Sequence, residues 1–86
     1  MPAVSRFFGI VITMYYDKRN PPHFHARYGR LGAAIETASL KVLEGKLPPR
    51  ALGLVVEWAS QHQEELAANW EAMWRDKPPS KIEPLQ

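Results

Sequence analysis

The spacing of apolar side chains changes near residue 48, and this change predicts the fold class. Aromatic and β-branched residues dominate residues 4–16, where both alternating faces are largely apolar, so this segment predicts a central strand. Shorter runs predict further strands at about residues 23–28, 33–36 and 41–44. After Pro48-Pro49, apolar residues recur at helical spacing to about Arg75, which predicts one long amphipathic helix.

These elements predict an α+β fold in which an antiparallel sheet of three or four strands is covered on one face by the helix at about residues 49–75. The 86 residues suit a single domain, residues 1–86, that ends in an extended tail at residues 77–86. Residues 60–63 resemble a helix-capping sequence, so a break in the helix near Ser60 is the alternative.

The strand at residues 23–28 carries the candidate chemistry. Successive side chains of a strand point to opposite faces, so this strand presents one basic set and one apolar set. We expect the basic set to lie opposite the helix and the apolar set to lie in the core. The basic set is His23, His25 and Arg27, and the apolar set is Phe24, Ala26 and Tyr28.

Two kinds of chemistry fit the basic set. Two histidines at positions i and i+2 suit metal ligands, but a metal site needs a third ligand. His62, the remaining histidine, belongs to the helix side, so we expect neither a metal nor a cofactor. The second kind is metal-independent ribonuclease chemistry, in which His23 and His25 divide the base and acid roles and Arg27 stabilises charge on a phosphoryl oxygen.

Further residues are candidate contacts with nucleic acid or a protein. The first strand places Phe7, Val11 and Tyr15 on a face that a single helix leaves uncovered, which predicts a homodimer or stable pairing with another protein. The candidate contact residues are Phe7, Tyr15, Arg27, Arg30, Arg50 and Trp74.

Composition and charge narrow the possible partners. Residues 1–50 carry eight Lys or Arg against three Asp or Glu, a net charge of +5, whereas residues 51–86 carry three against six, a net charge of −3. A basic front half attracts phosphate or an acidic partner, so nucleic acid is a second candidate partner. The absence of cysteine excludes disulfides and thiolate metal sites, and the apolar run at residues 7–16 is too short to cross a bilayer. We expect a cytoplasmic protein with no membrane partner.

Four segments resemble a family of small bacterial proteins classed as a domain of unknown function. The most specific is Asn20-Pro21-Pro22-His23-Phe24-His25-Ala26-Arg27-Tyr28. The others are residues 2–10, 43–51 and 81–85, so the resemblance spans nearly the whole chain. It implies a gene that lies beside that of another small protein, in an arrangement similar to toxin–antitoxin pairs. It implies no reaction and no catalytic residue.

Two functions therefore remain open. The first is a partner-binding component of a toxin–antitoxin-like two-gene module that also contacts nucleic acid. The second is an enzyme, a metal-independent ribonuclease that uses His23, His25 and Arg27. Histidines that face a concave basic pocket would favour the enzyme, and histidines beneath a subunit interface would favour the binding component.

Overall fold

A computed structural model describes residues 3–17 and 21–86, in which a five-stranded antiparallel sheet packs against two helices. The strands follow one another in chain order across the sheet, so each neighbouring pair is a hairpin. The α+β class and the antiparallel sheet are confirmed, but three or four strands and one helix are too few. The elements are β1 (Ala3–Phe7), β2 (Ile10–Thr13), β3 (His23–Tyr28), β4 (Leu31–Glu36), β5 (Val42–Gly45), α1 (Pro49–Ser60) and α2 (Gln63–Trp74).

The segment predicted as one long first strand is a hairpin that turns at Phe8 and Gly9. Both residues have positive φ, 49° and 80°, as a two-residue hairpin turn with the twist of the strands requires. Phe7 pairs with Ile10 across this turn and packs its ring 5.4 Å from that of Trp58 in the core. The prediction that Phe7 lies on the open face is therefore wrong. It assumed that side chains alternate without interruption along one strand, whereas the turn places Phe7 on the same face of the sheet as Ile10.

The predicted long helix is broken near Ser60, as the alternative proposed. His62 leaves the helical conformation, with φ −131° and ψ 25°, between α1 and α2. The Ser60 hydroxyl donates to the carbonyl oxygen of Glu57 and so does not cap α2. Gln63 instead anchors the start of α2, because its side-chain amide donates to the carbonyl oxygens of Thr37 and Ala38 at 2.9 and 3.0 Å.

The core lies between one face of the sheet and the two helices. Phe24 and Ala26 of β3 are buried there, as predicted, and Trp58 of α1 contacts the ring of Phe24. Tyr28, predicted to lie in the core, is 42% exposed, because it is the last residue of β3 and pairs with exposed Leu31 at the end of the hairpin. Alternation therefore places the middle of β3 correctly but not its end.

Residues 77–86 run in extended conformation beside β1, after the end of α2. The backbone N–H of Ile82 donates to the carbonyl oxygen of Val4 at 2.8 Å. The indole N–H of Trp58 donates to the carbonyl oxygen of Glu83, also at 2.8 Å. Asn69 binds the backbone of Ser80 through both its amide nitrogen and its amide oxygen, at 2.8 and 2.9 Å. The tail thus forms part of the packed structure.

None of the helices in the described part of the chain has the length and apolar character needed to cross a membrane. The predicted polar turn at residues 18–20 lies outside the described residues.

Candidate functional site

The start of β3 brings three potential metal ligands together. We call Asp17, His23 and His25 the histidine cluster. One ligand atom from each residue lies within 4.8 Å of the corresponding atoms of the other two. The rings of His23 and His25 meet edge to face, with their centroids 5.2 Å apart. Sequence alternation had paired the histidines but had not included the carboxylate.

The backbone fixes the orientation of His23. Its Nδ1 lies 2.9 Å from the carbonyl oxygen of Pro21, which can only accept a hydrogen bond, so Nδ1 carries the proton. In the neutral ring, Nε2 then holds a lone pair, and it lies 3.3 Å from Oδ2 of Asp17. His23 is only 4% exposed, and the centroid of its ring lies 5.1 Å from that of Trp70 of α2. Helix α2 therefore reaches the start of β3 and encloses this histidine.

His25 lies nearer the surface, on the face opposite the core. Its ring stacks on that of Tyr15, with centroids 4.5 Å apart and planes 10° from parallel. Both rings line a groove of about 560 Å³ on the open face of the sheet, together with Arg27 and Glu44. The groove places an aromatic ring, an imidazole and a guanidinium beside one another.

The structure therefore divides the predicted basic set. His25 and Arg27 share the groove on the open face, as expected, whereas His23 is enclosed against α2. The premise that no third ligand accompanies the two histidines is wrong, because Asp17 lies beside them. The signal that was missed is the hairpin register. Thr13 pairs with His25, so continuing the pairing brings Asp17 towards the residues that precede His23.

The other end of β3 borders an apolar pocket of about 430 Å³, which we call the hairpin-end pocket. It lies between the β1–β2 turn, the end of β3 and the first turns of α1. Its lining residues are Phe8, Ile10, Tyr28, Pro48, Arg50, Ala51 and Leu54. Arg50 was predicted from the sequence as a contact residue, but Phe8 was not.

Phe8 is the unusual residue of this pocket. Its side chain is 60% exposed although it is a large apolar ring. Its φ of 49° lies in the left-handed region, which glycine and asparagine adopt readily and which strains a bulky residue. Because the ring gains little burial in return, the fold alone gives no reason for phenylalanine at this position.

The remaining predicted contact residues do not form one surface. Tyr15 and Arg27 line the groove, and Arg50 lines the hairpin-end pocket. Arg30 is exposed in the β3–β4 turn. Trp74 is 63% exposed at the end of α2, where its ring meets that of Tyr16 at 5.6 Å. The candidate contacts are thus distributed over at least three places.

The fold and its two sites define a small α+β protein with a histidine cluster at one end of β3 and an apolar pocket at the other. The model of the family called Domain of unknown function (DUF4160) matches residues 9–71, which is more than half of the chain, so the chain belongs to this family. Membership of a domain-of-unknown-function family, as expected from the sequence, is thereby confirmed. No curated protein and no solved structure matches the chain. The matched range contains the whole histidine cluster.

Proposed function

We propose that this protein is the partner-binding component of a toxin–antitoxin-like two-gene module and binds the product of the neighbouring gene through the hairpin-end pocket. The observation that carries the proposal is Phe8, a strained residue whose ring is exposed beside an apolar pocket. Strained backbone positions concentrate at functional sites, where the residue type is retained for a reason other than stability. A ring that a partner covers supplies such a reason.

The residues that line the pocket indicate which side chains of a partner would fit it. Phe8 and Tyr28 offer aromatic walls, and Arg50 adds a cation. Aromatic and arginine side chains dominate the binding energy of protein interfaces. The net charge of +5 on residues 1–50 favours an acidic partner. We therefore expect the partner to insert an apolar side chain and to place a carboxylate near Arg50.

The test compares two exposed aromatic residues. In Phe8→Asn the ring is lost but the left-handed backbone is favoured, so the variant should fold at least as stably as the wild type. Trp74→Asn is the matched control, because Trp74 is 63% exposed and Phe8 is 60% exposed, and Trp74 lies outside the pocket. Each variant is co-expressed with the neighbouring gene, and the affinity of the purified pair is measured by calorimetry.

Loss of an interface hot spot costs about 2 kcal/mol or more, so Phe8→Asn should weaken binding by about 30-fold, while Trp74→Asn should bind like the wild type. Wild-type affinity in Phe8→Asn, or loss of binding in Trp74→Asn alone, contradicts the proposal. So does a wild-type protein that does not bind the neighbour. A concentration-dependent homodimer that Phe8→Asn dissociates would assign the pocket to self-association instead.

A ribonuclease is the second candidate, and the groove that His25 shares with Arg27 is the observation in its favour. The burial of His23 counts against it, because a general acid or base must reach its substrate. Single-turnover cleavage of RNA, with and without EDTA, tests this candidate. If it is correct, His25→Ala should reduce the rate by about 10² or more without loss of fold. An absence of cleavage under both conditions leaves the binding component.

A further inference from the structure

We propose that the histidine cluster binds one divalent transition metal ion, with zinc as the preferred ion. The ligands are Nε2 of His23, one ring nitrogen of His25 and a carboxylate oxygen of Asp17. Among the residues that the structure describes, this is the one group of three ligating side chains that close together. This site is separate from the hairpin-end pocket and does not depend on the partner-binding proposal.

The spacing of the ligand atoms suits a tetrahedral ion. Zinc lies about 2.0–2.1 Å from histidine nitrogen and at a similar distance from carboxylate oxygen, so neighbouring ligand atoms in a tetrahedral site are about 3.4 Å apart. Nε2 of His23 lies 3.3 Å from Oδ2 of Asp17. All three ligand atoms fall within 4.8 Å of one another, so a small adjustment of the His25 ring completes the set.

The hydrogen bond at the far side of the His23 ring is the second, independent observation. Histidines that ligate metals generally donate the other ring N–H to a carbonyl or carboxylate, which fixes the ring and directs the lone pair at the ion. His23 has this arrangement, because Nδ1 lies 2.9 Å from the carbonyl oxygen of Pro21. The rigid Pro21-Pro22 pair holds that carbonyl in place at the start of β3.

Without a cation, one buried ring nitrogen of the cluster is left without a hydrogen bond. Nε2 of His23 has no hydrogen-bond partner among the described residues, although Oδ2 of Asp17 lies 3.3 Å away. The contact between these two atoms does not have the geometry of a hydrogen bond. A metal ion between them gives the buried nitrogen a partner, because the nitrogen and the carboxylate oxygen can each donate a lone pair to it.

The donor set selects the class of ion. Two imidazoles and one carboxylate suit zinc and its transition-metal neighbours, whereas magnesium and calcium prefer sites built from oxygen atoms alone. The chain has no cysteine, so no thiolate competes for the ion. Zinc held by three protein ligands keeps one position for water or a further ligand. His25 also lines the groove on the open face of the sheet, so a further ligand of the ion could enter from that side.

The test uses the full chain without a histidine tag, stripped of metal by a chelator. Calorimetric titrations with Zn²⁺ and with Mg²⁺ give the stoichiometry and the affinity, and thermal unfolding with and without Zn²⁺ gives a second measurement. The variants are Asp17→Asn and His25→Gln, with folding checked by circular dichroism. His62→Gln is the matched control, because His62 pairs with the Glu65 carboxylate at 2.5 Å but belongs to no group of three ligands in the part of the chain that the structure describes.

We expect one Zn²⁺ per chain with micromolar or tighter affinity, a higher melting temperature with Zn²⁺, and no comparable effect of Mg²⁺. Asp17→Asn and His25→Gln should each weaken Zn²⁺ binding by more than tenfold, and His62→Gln should bind like the wild type. A wild type that does not bind Zn²⁺ overturns the proposal. The proposal is also overturned if Asp17→Asn and His25→Gln bind Zn²⁺ as tightly as the wild type, or if His62→Gln loses as much affinity as they do.

Discussion

The two ends of β3 carry opposite chemistry on one continuous strand. At the start, His23 lies buried among polar groups, and Trp70 of α2 packs against it. At the end, Tyr28 is exposed beside an apolar pocket whose other wall is the beginning of α1. The break between the helices therefore has a structural consequence, since α2 contacts the histidine cluster and α1 lines the hairpin-end pocket. A single straight helix would have had to serve both ends at once.

The largest expected effect tests whether the two ends share one core. Phe24 is fully buried between them, so Phe24→Ala should lower the free energy of unfolding by about 3–5 kcal/mol, measured by urea denaturation. Amide hydrogen exchange near His25 and near Tyr28 should accelerate together. Acceleration at one end alone would show that the ends unfold separately.

The second prediction concerns the support of the polar end by α2. Asn69 is buried and makes two hydrogen bonds with the backbone of Ser80, so Asn69→Leu should cost about 1–3 kcal/mol in thermal or urea unfolding. Ser80→Ala is the control, because it retains the backbone groups that Asn69 binds, and it should change stability by less than about 0.5 kcal/mol. A control as damaging as Asn69→Leu would assign the effect to the serine hydroxyl.

The third prediction acts on the apolar end. A Cβ at Gly9 would lie 3.3 Å from Cε1 of Tyr28, and the φ of 80° disfavours alanine, so Gly9→Ala should cost about 1–2 kcal/mol. Gly53→Ala in α1 is the control, since a Cβ there meets no atom within 4 Å, and it should raise stability slightly. Gly9→Ala should also weaken partner binding while leaving Zn²⁺ affinity unchanged. A changed Zn²⁺ affinity would show that the ends communicate.

The smallest expected effect is the coupling between the ends. His23 and Tyr28 lie about 17 Å apart along an extended strand, beyond the range at which substitutions usually interact. A double-mutant cycle combines Phe8→Asn with Asp17→Asn. The changes that the two substitutions cause in the free energy of unfolding should add to within about 0.5 kcal/mol. A larger coupling term would join the pocket and the histidine cluster into one cooperative unit.

The sequence predicted best those features that depend on local alternation. Phe24 and Ala26 lie in the core and His25 lies on the opposite face, because successive side chains of a strand point to opposite faces of the sheet. The hairpin turn at Phe8 and Gly9 was missed because phenylalanine is rare at positive φ, and because Gly9, the local turn signal, lies within an apolar run that favours a continuous strand. In contrast, the break near Ser60 had a local signal, although the serine does not form the cap that the signal implies.

The candidate sites needed contacts that cross the chain. Asp17 meets the histidines through the register of the β2–β3 hairpin, and Trp70 meets His23 from a helix nearly fifty residues away. Neither of these contacts can be obtained from the spacing of residues in the sequence. The exposure of Tyr28 likewise depends on where α1 begins relative to the end of β3, which alternation cannot specify.

The contact between Ile82 and β1 determines how copies of this sheet can associate through their edges. Ile82 donates to Val4 along the outer side of β1, so that edge is occupied within the molecule, whereas β5 is exposed and pairs only with β4 among the described strands. Among the described strands, β5 is therefore the edge that remains for β-sheet extension. If two copies pair through β5, the assembly closes at two members and cannot propagate into a fibre.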